Sequence, residues 1–316
     1  ASLVERGFLP FCTAGLFRSG GRDGALGYTM LIQLALPLIF VVLWASAFAT
    51  GAIVTADATP FAALAFRFGL VTVGFLLTAW WLAEFKHFSR RALGHGMVTG
   101  LLFHGVYLGG CWYGFSVGVP AGVTALIVCL QPILTAIGAG LLLGEQTSRQ
   151  NWLGLALGFV GAATVLGIDV GAEFASIGLV AVCVALAAIT TATIWQKKFA
   201  STLPLATNNA VQAGTATVFH LCAMGLLETG SIEFTASFIA AMAWQIIAVS
   251  FGAFSILMYL INRNSASQTS ALFFLVPPVA ALLGYVLLGE TLTTVDVLGF
   301  VIASCGVYLA TRKTMA

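Results

Sequence analysis

The chain has 316 residues, of which 60% are apolar and only 8% charged, with a formal net charge of +2. Soluble domains carry roughly 45–50% apolar residues, so a soluble protein is excluded, and neither a nucleic-acid partner nor a cofactor is expected. The apolar runs are continuous, which excludes a β-barrel, and at about 20 residues each they are long enough to cross a bilayer as helices.

Residues 1–29 are Gly-rich and weakly basic and lack the apolar core of a signal peptide, so a mobile extension is expected there. Ten helices are expected next, at about 31–54, 60–83, 95–116, 120–143, 150–168, 175–196, 205–227, 236–261, 266–288 and 293–311. The connections between them are too short for a second, soluble domain. The fold class is therefore an all-α integral membrane protein surrounded by lipid.

Hydrocarbon depth tolerates polar side chains poorly, so the few inside these segments are candidates for function. The first segment carries Trp44 and Ser46. In the second, Arg67 stands between Phe66 and Phe68, within snorkelling reach of one end, and is read as a structural or gating residue packed between helices, with direct substrate contact as the alternative. The third places His104, Tyr107 and Cys111 on one face, with Trp112 and Tyr113 adjacent. The fourth carries Thr124, Gln131 and Thr135, and Gln131 either faces a cavity or satisfies a carbonyl freed by Pro132. The sixth offers Thr191 and Trp195, the eighth Gln245, Val249 and Tyr259, and the ninth Thr269 and Phe273, while Pro132 and Pro277 are read as structural or gating residues that bend their helices. Trp195 and Tyr259 stand close enough to helix ends to fit an aromatic belt as well as a cavity. A substrate site lined by Trp44, His104, Tyr107, Gln131, Trp195 and Tyr259 is expected. Six cysteines and four histidines lie far apart and without metal-ligand spacing, so no metal site is expected.

Orientation follows from Lys and Arg. With both termini cytoplasmic, twelve of the thirteen basic residues fall on one side and only Arg67 lies within a helix; the opposite connections carry Asp57, Asp169, Glu173, Glu228, Glu233, Glu290 and Asp296 but no Lys or Arg. The positive-inside rule assigns the basic side to the cytoplasm.

An offset of 145 residues superposes one half of the sequence on the other. It matches Pro132 with Pro277, Leu142-Leu143-Gly144-Glu145 with Leu287-Leu288-Gly289-Glu290, Gly161 with Gly306, and Gly69 and Thr72 with Gly214 and Thr217. Arg67 falls on Gln212. Five helices per half is an odd number, so residues 30–168 and 169–316 read as two inverted-topology repeats, the arrangement of secondary transporters with a midplane site. Glu145 and Glu290 each end one helix and precede another, and are read as braces of the turn or as gating residues; Thr293 and Asp296 form a capping box after the second.

Ten helices in two halves, the Pro and the apolar-Gly-Glu ending of the fourth and ninth segments, and Phe66-Arg67-Phe68 resemble the EamA-type exporters of the drug/metabolite transporter superfamily. Over its whole length the chain is further similar to bacterial aromatic amino acid exporters of the YddG type. The resemblance implies a secondary transporter of the bacterial inner membrane that exports or exchanges neutral, especially aromatic, amino acids, with a broad drug or metabolite exporter as the alternative. Small multidrug antiporters of the superfamily use an intramembrane glutamate, which is missing here, and one arginine is too few for sugar phosphates. A neutral aromatic cavity suits a zwitterion, and planar organic cations through cation–π attraction. The residues offer no catalytic constellation for an enzyme, and an internal repeat lets a single chain, acting as a monomer, form the pathway better than it forms a channel.

Overall fold

The computed structural model describes residues 22–84, 89–119, 121–166, 176–200, 203–283, 285–286 and 293–312. Ten helices run through them: α1 (Arg22–Asp57), α2 (Pro60–Trp81), α3, α4, α5 (Arg149–Leu166), α6 (Ser176–Trp195, prolonged by a π turn Gln196–Ala200), α7 (Leu205–Leu227), α8, α9 and α10 (Thr294–Thr311). Four are interrupted. α3 consists of Arg90–Gly100, a π segment Leu101–Leu108 and Gly109–Ser116, and α8 of Ala236–Trp244, a π segment Gln245–Ala253 and Phe254–Arg263. α4 breaks between Ala121–Val128 and Gln131–Leu143, and α9 passes from Ala266–Ala271 through a 3₁₀ turn, Leu272–Leu275, to Val276–Leu283. Among the described residues eight segments are apolar and long enough to cross a membrane by length and composition.

The expected helices and the observed ones agree closely, with two differences at N-termini. α1 starts at Arg22 rather than near residue 31. α3 starts at Arg90 rather than near residue 95, because the Ser89 hydroxyl accepts the Ala92 N–H at 3.1 Å and caps the first turn. The expected capping box at Thr293 and Asp296 is present. Glu290, Glu173, Leu287–Gly289 and most of the expected extension lie outside the described residues.

The interruptions obey the 145-residue offset. The π segments of α3 and α8 are counterparts, and the breaks of α4 and α9 stand just before the counterparts Pro132 and Pro277. Proline has no N–H to donate and clashes with the preceding turn, which is why both helices change pitch there.

Some counterpart helices also pack against each other. α5 lies on α10 through glycines so close that a Cβ at Gly161 would collide with the Ala303 backbone, and one at Gly306 with Gly158. Small residues let backbones approach where lipid supplies no hydrophobic drive for helix association. α2 and α7 pack antiparallel, and each ends in an acid that caps its partner: Glu228 Oε1 accepts from Thr59 Oγ1 and Ala62 N, both at 2.7 Å, and Glu84 Oε2 accepts from Thr207 N at 2.9 Å and Thr207 Oγ1 at 3.1 Å. A carboxylate at a helix N-terminus satisfies orphan amides and meets the positive end of the dipole. Thr235 Oγ1 donates to Asp57 Oδ2 at 2.6 Å on the Glu228 side, while Asn151 Nδ2 donates to Ala310 O at 2.6 Å on the opposite side. The ends that the Lys and Arg distribution groups together are thus the ends that meet.

Candidate functional site

A cavity of about 340 Å³ lies between the halves. α1 contributes Trp44 and Thr55, α2 Arg67, and α3 His104, Tyr107 and Trp112. Facing them are Thr124 and Cys129 of α4, Gln245, Val249, Ser250 and Phe254 of α8, and Phe273 and Pro277 of α9. The lining runs out to Thr55, Phe115 and Val119, at the end of the molecule that holds Asp57 and Glu228.

At the inner end the rings close together. Trp44 and Phe273 meet edge to face at 5.3 Å, Phe40 lies 5.4 Å from Trp44 and 5.5 Å from Phe273, and Phe103 is 6.3 Å from Trp44. Tilted and edge-on pairs at these separations are the favourable ones for aromatic quadrupoles. Beyond this floor, the two Gln131 amide protons are shared among Thr135 Oγ1 at 3.0 Å, Thr193 Oγ1 at 3.3 Å and Ser270 Oγ at 3.3 Å, tying α4 to α6 and α9.

The polar part of the wall is organised by the π segments. His104 and Tyr107 lie in the first and Gln245, Val249 and Ser250 in the second. The Ser250 hydroxyl donates to Gln245 O, five residues back, at 3.0 Å and accepts the Arg67 Nε–H at 3.0 Å. Gln245 Nε2 donates to Ala47 O at 2.8 Å and Thr50 Oγ1 at 2.9 Å. That leaves Gln245 Oε1 buried and without a partner, as are His104 Nδ1 and Thr124 Oγ1. Three residues of one cavity wall thus each keep a polar atom unsatisfied, and leaving such an atom buried and bare costs about 1–3 kcal/mol. No group of three or more His, Cys, Asp or Glu able to hold a metal is found among the described residues.

Of the six side chains expected in the site, Trp44, His104 and Tyr107 stand on the cavity wall and Gln131, Trp195 and Tyr259 do not. Gln131 is drawn into the hydroxyl network below the floor rather than to a carbonyl freed by Pro132. Trp195 packs at 4.6 Å on Phe199 and 5.6 Å from His95, and Tyr259 lies 5.5 Å under the Arg263 guanidinium. Both aromatics pack at helix ends, and the Trp195 Nε1–H is buried there without a partner. Pro277 and Arg67, expected as structural or gating residues, line the cavity; Pro132 is buried beside Gln131. Arg67 is 5% exposed, so it does not snorkel.

Glu145 does more than brace its own turn. Gly144 adopts φ 69°, a left-handed conformation that favours glycine, and ends α4. The carboxylate that follows crosses to the other repeat, where Oε1 accepts the Ala266 N–H at 2.9 Å and Oε2 the Ser267 N–H at 3.4 Å, at the start of α9. Sequence spacing gave no sign of this, because the contact joins residues 121 positions apart. Ser250, Trp112 and Phe254 also escaped the expected site. A register of 3.6 residues per turn turns Ser250 away from Gln245, and only the π segment brings both to one face.

Two stretches, residues 31–167 and 176–312, match the family model described as the EamA-like transporter family. Among curated proteins the chain is 27% identical over 216 residues to the uncharacterized transporter YvbV of Bacillus subtilis, covering 68% of this chain and 69% of that one. It is also 27% identical over 211 residues to a probable terminal-alkyne amino-acid exporter of Streptantibioticus cattleyicolor, covering 63% of this chain and 67% of that one. A probable amino-acid metabolite efflux pump of Salmonella typhimurium matches at 27% identity over 202 residues, 61% of this chain and 68% of that one. One solved crystal structure superposes with a TM-score of 0.73 over 88% of this chain and 96% of the other, at 17% identity, a likeness of fold alone. The chain is a multi-pass membrane protein, not an enzyme, and it belongs to the EamA-like transporter family.

Proposed function

We propose that the protein exports neutral amino acids, aromatic ones above all, by exposing the cavity between its repeats alternately to the two sides of a bacterial inner membrane. The observation that carries this reading is the wall itself: Trp44, Tyr107, Trp112, Phe254 and Phe273 surround about 340 Å³ of space, with a few polar groups set among them. Cavities of a few hundred cubic ångströms with convergent polar groups are the usual form of small-molecule sites. Two relatives at 27% identity carry names that refer to amino-acid or amino-acid-metabolite export, which supports the substrate class.

The positive-inside distribution supports a cytoplasmic position for both termini, and in that orientation the cavity opens outward, with the Gln131 network and the Glu145 cap across the cytoplasmic end. The inverted repeat supplies the second state, in which counterpart surfaces exchange roles. One chain forms the whole route, so a monomer suffices. With no carboxylate on the described wall, substrate runs down its own gradient. A broader range of small metabolites is the second reading, favoured by how few groups in the wall donate or accept hydrogen bonds.

Export is tested in cells challenged with a toxic aromatic analogue such as p-fluorophenylalanine. Expression of the chain is expected to confer resistance and lower the intracellular analogue. Unchanged content in expressing cells would overturn the aromatic amino-acid reading.

A further inference from the structure

Among the described residues the cavity wall carries one arginine and no other Lys, Arg, Asp or Glu, and its geometry is set. Arg67 is 5% exposed, its Nε–H is spent on Ser250 Oγ, and its guanidinium carbon sits 5.3 Å from the Phe68 ring centroid. Ser250 is itself fixed by donating to Gln245 O across the π turn. No Asp or Glu among the described residues lines the cavity or bonds the guanidinium. A cation at membrane depth without a counter-charge is costly, and its two Nη groups remain for whatever enters the cavity. A guanidinium edge fits a carboxylate with two parallel hydrogen bonds.

The neighbouring orphan acceptor completes the pattern. Gln245 belongs to the same wall, its Oε1 is buried and unpartnered, and Ser250 links Gln245 to Arg67 directly. In an α-amino acid the carboxylate and the ammonium are carried on one carbon. An anion-binding edge beside an unfilled acceptor is complementary to that head group, and the rings of Trp44 and Phe273 then receive the side chain.

We propose that Arg67 binds the α-carboxylate of the substrate and that Gln245 Oε1 takes its α-ammonium, so that the transporter selects free amino acids over amines and amides. This rests on the amino-acid reading above and narrows it: planar organic cations, which the aromatic wall alone would admit, are repelled by Arg67. The anchor is one-sided. The repeat counterparts of Arg67 and Gln245 are Gln212 and Gly100, and Gln212 is fully buried, donating to Gln196 Oε1 at 3.1 Å, while a Cβ at Gly100 would stand 2.5 Å from the Gln212 Cα. The head group is therefore held by the first repeat's arginine and not by a symmetric pair.

The test is calorimetric titration of the purified full chain in detergent with tryptophan, indole-3-propionate, tryptophan amide and tryptamine, each separately. Tryptophan should bind most tightly, with the amide and tryptamine weaker by about 10- to 100-fold, the worth of a charged hydrogen-bond pair. Indole-3-propionate, which keeps the carboxylate, should bind better than tryptamine. Arg67→Gln, which copies the counterpart, should lose tryptophan by a similar factor without weakening tryptamine, and Gln245→Leu should weaken tryptophan more than indole-3-propionate. If Arg67→Gln does not fold, the wild-type ligand series decides. Tryptamine or the amide binding as tightly as tryptophan would overturn the anchor while leaving amino-acid transport standing. Binding of indole-3-propionate but of no amino acid would keep the carboxylate anchor and reject the amino-acid reading, and binding of none of the four would overturn both.

Discussion

The hydroxyl oxygens of Thr72 and Thr217 lie 3.4 Å apart, and the two residues are separated by 145 positions, the offset that superposes one half of the chain on the other. A residue that touches its own counterpart sits on the axis relating the two halves. Both hydroxyl protons are spent within their own helices, Thr72 on Phe68 O at 2.6 Å and Thr217 on Ala213 O at 2.9 Å, so the pair marks the axis by close approach rather than by bonding. A Thr72→Cys/Thr217→Cys variant, oxidised in membranes, is expected to give a disulfide-linked pair of peptides from one chain by mass spectrometry. Linkage only between chains would place the axis elsewhere.

The second contact along that axis is the glycine seam of α5 and α10. Gly161→Val drives side-chain atoms into the Ala303 backbone, and overpacking of this kind costs about 1–3 kcal/mol or more. The melting temperature of the purified variant should fall by several degrees. Gly94→Ala, at a site with nothing within 4 Å of the new Cβ, should leave it unchanged or raise it slightly.

Glu145 ties α4 to the start of α9 at the end of the molecule away from the cavity mouth. Charged hydrogen bonds contribute roughly 1.5–3 kcal/mol, so Glu145→Ala is expected to populate the state open at that end. In a background without native cysteines, Ser270→Cys should react faster with an impermeant thiol reagent in inside-out vesicles once Glu145→Ala is added. Equal rates would mean that the carboxylate caps the helix without holding the end shut.

The aromatic floor makes a prediction about side-chain size. Trp44→Ala or Phe273→Ala should slow tryptophan and phenylalanine transport about 2- to 10-fold more than alanine transport, the scale of one lost ring pair. Trp195→Ala, whose ring packs on Phe199 and His95 rather than on the cavity, should slow all substrates alike or none. Equal losses from Trp44→Ala across large and small substrates would remove the floor from substrate contact.

What could be read in the sequence divides along physical lines. Helix spans were legible because apolar length has no competing explanation in a chain this poor in charge, whereas the packing of α2 on α7 and of α5 on α10 was not, because an offset relates two sequences without saying which helices touch. His104, Tyr107 and Gln245 were found by helical spacing. Ser250 was not, because the π segment adds a residue to the turn and rotates it onto the Gln245 face. Arg67 was assigned to packing, with substrate contact as the alternative, because its counterpart is the neutral Gln212 and a guanidinium two turns from a helix end can also snorkel; that it turns inward depends on Ser250, from a different helix and 183 residues away. Trp195 and Tyr259 carried the right chemistry for a substrate wall, yet ring contacts at helix ends claimed them.

The most direct test of transport is counterflow in proteoliposomes. Vesicles holding the purified chain and loaded with unlabelled tryptophan should accumulate labelled tryptophan from outside transiently above its external concentration, with phenylalanine and tyrosine competing better than alanine, and without an imposed ion gradient. Vesicles that accumulate no labelled amino acid, aromatic or otherwise, above protein-free controls would contradict the substrate assignment.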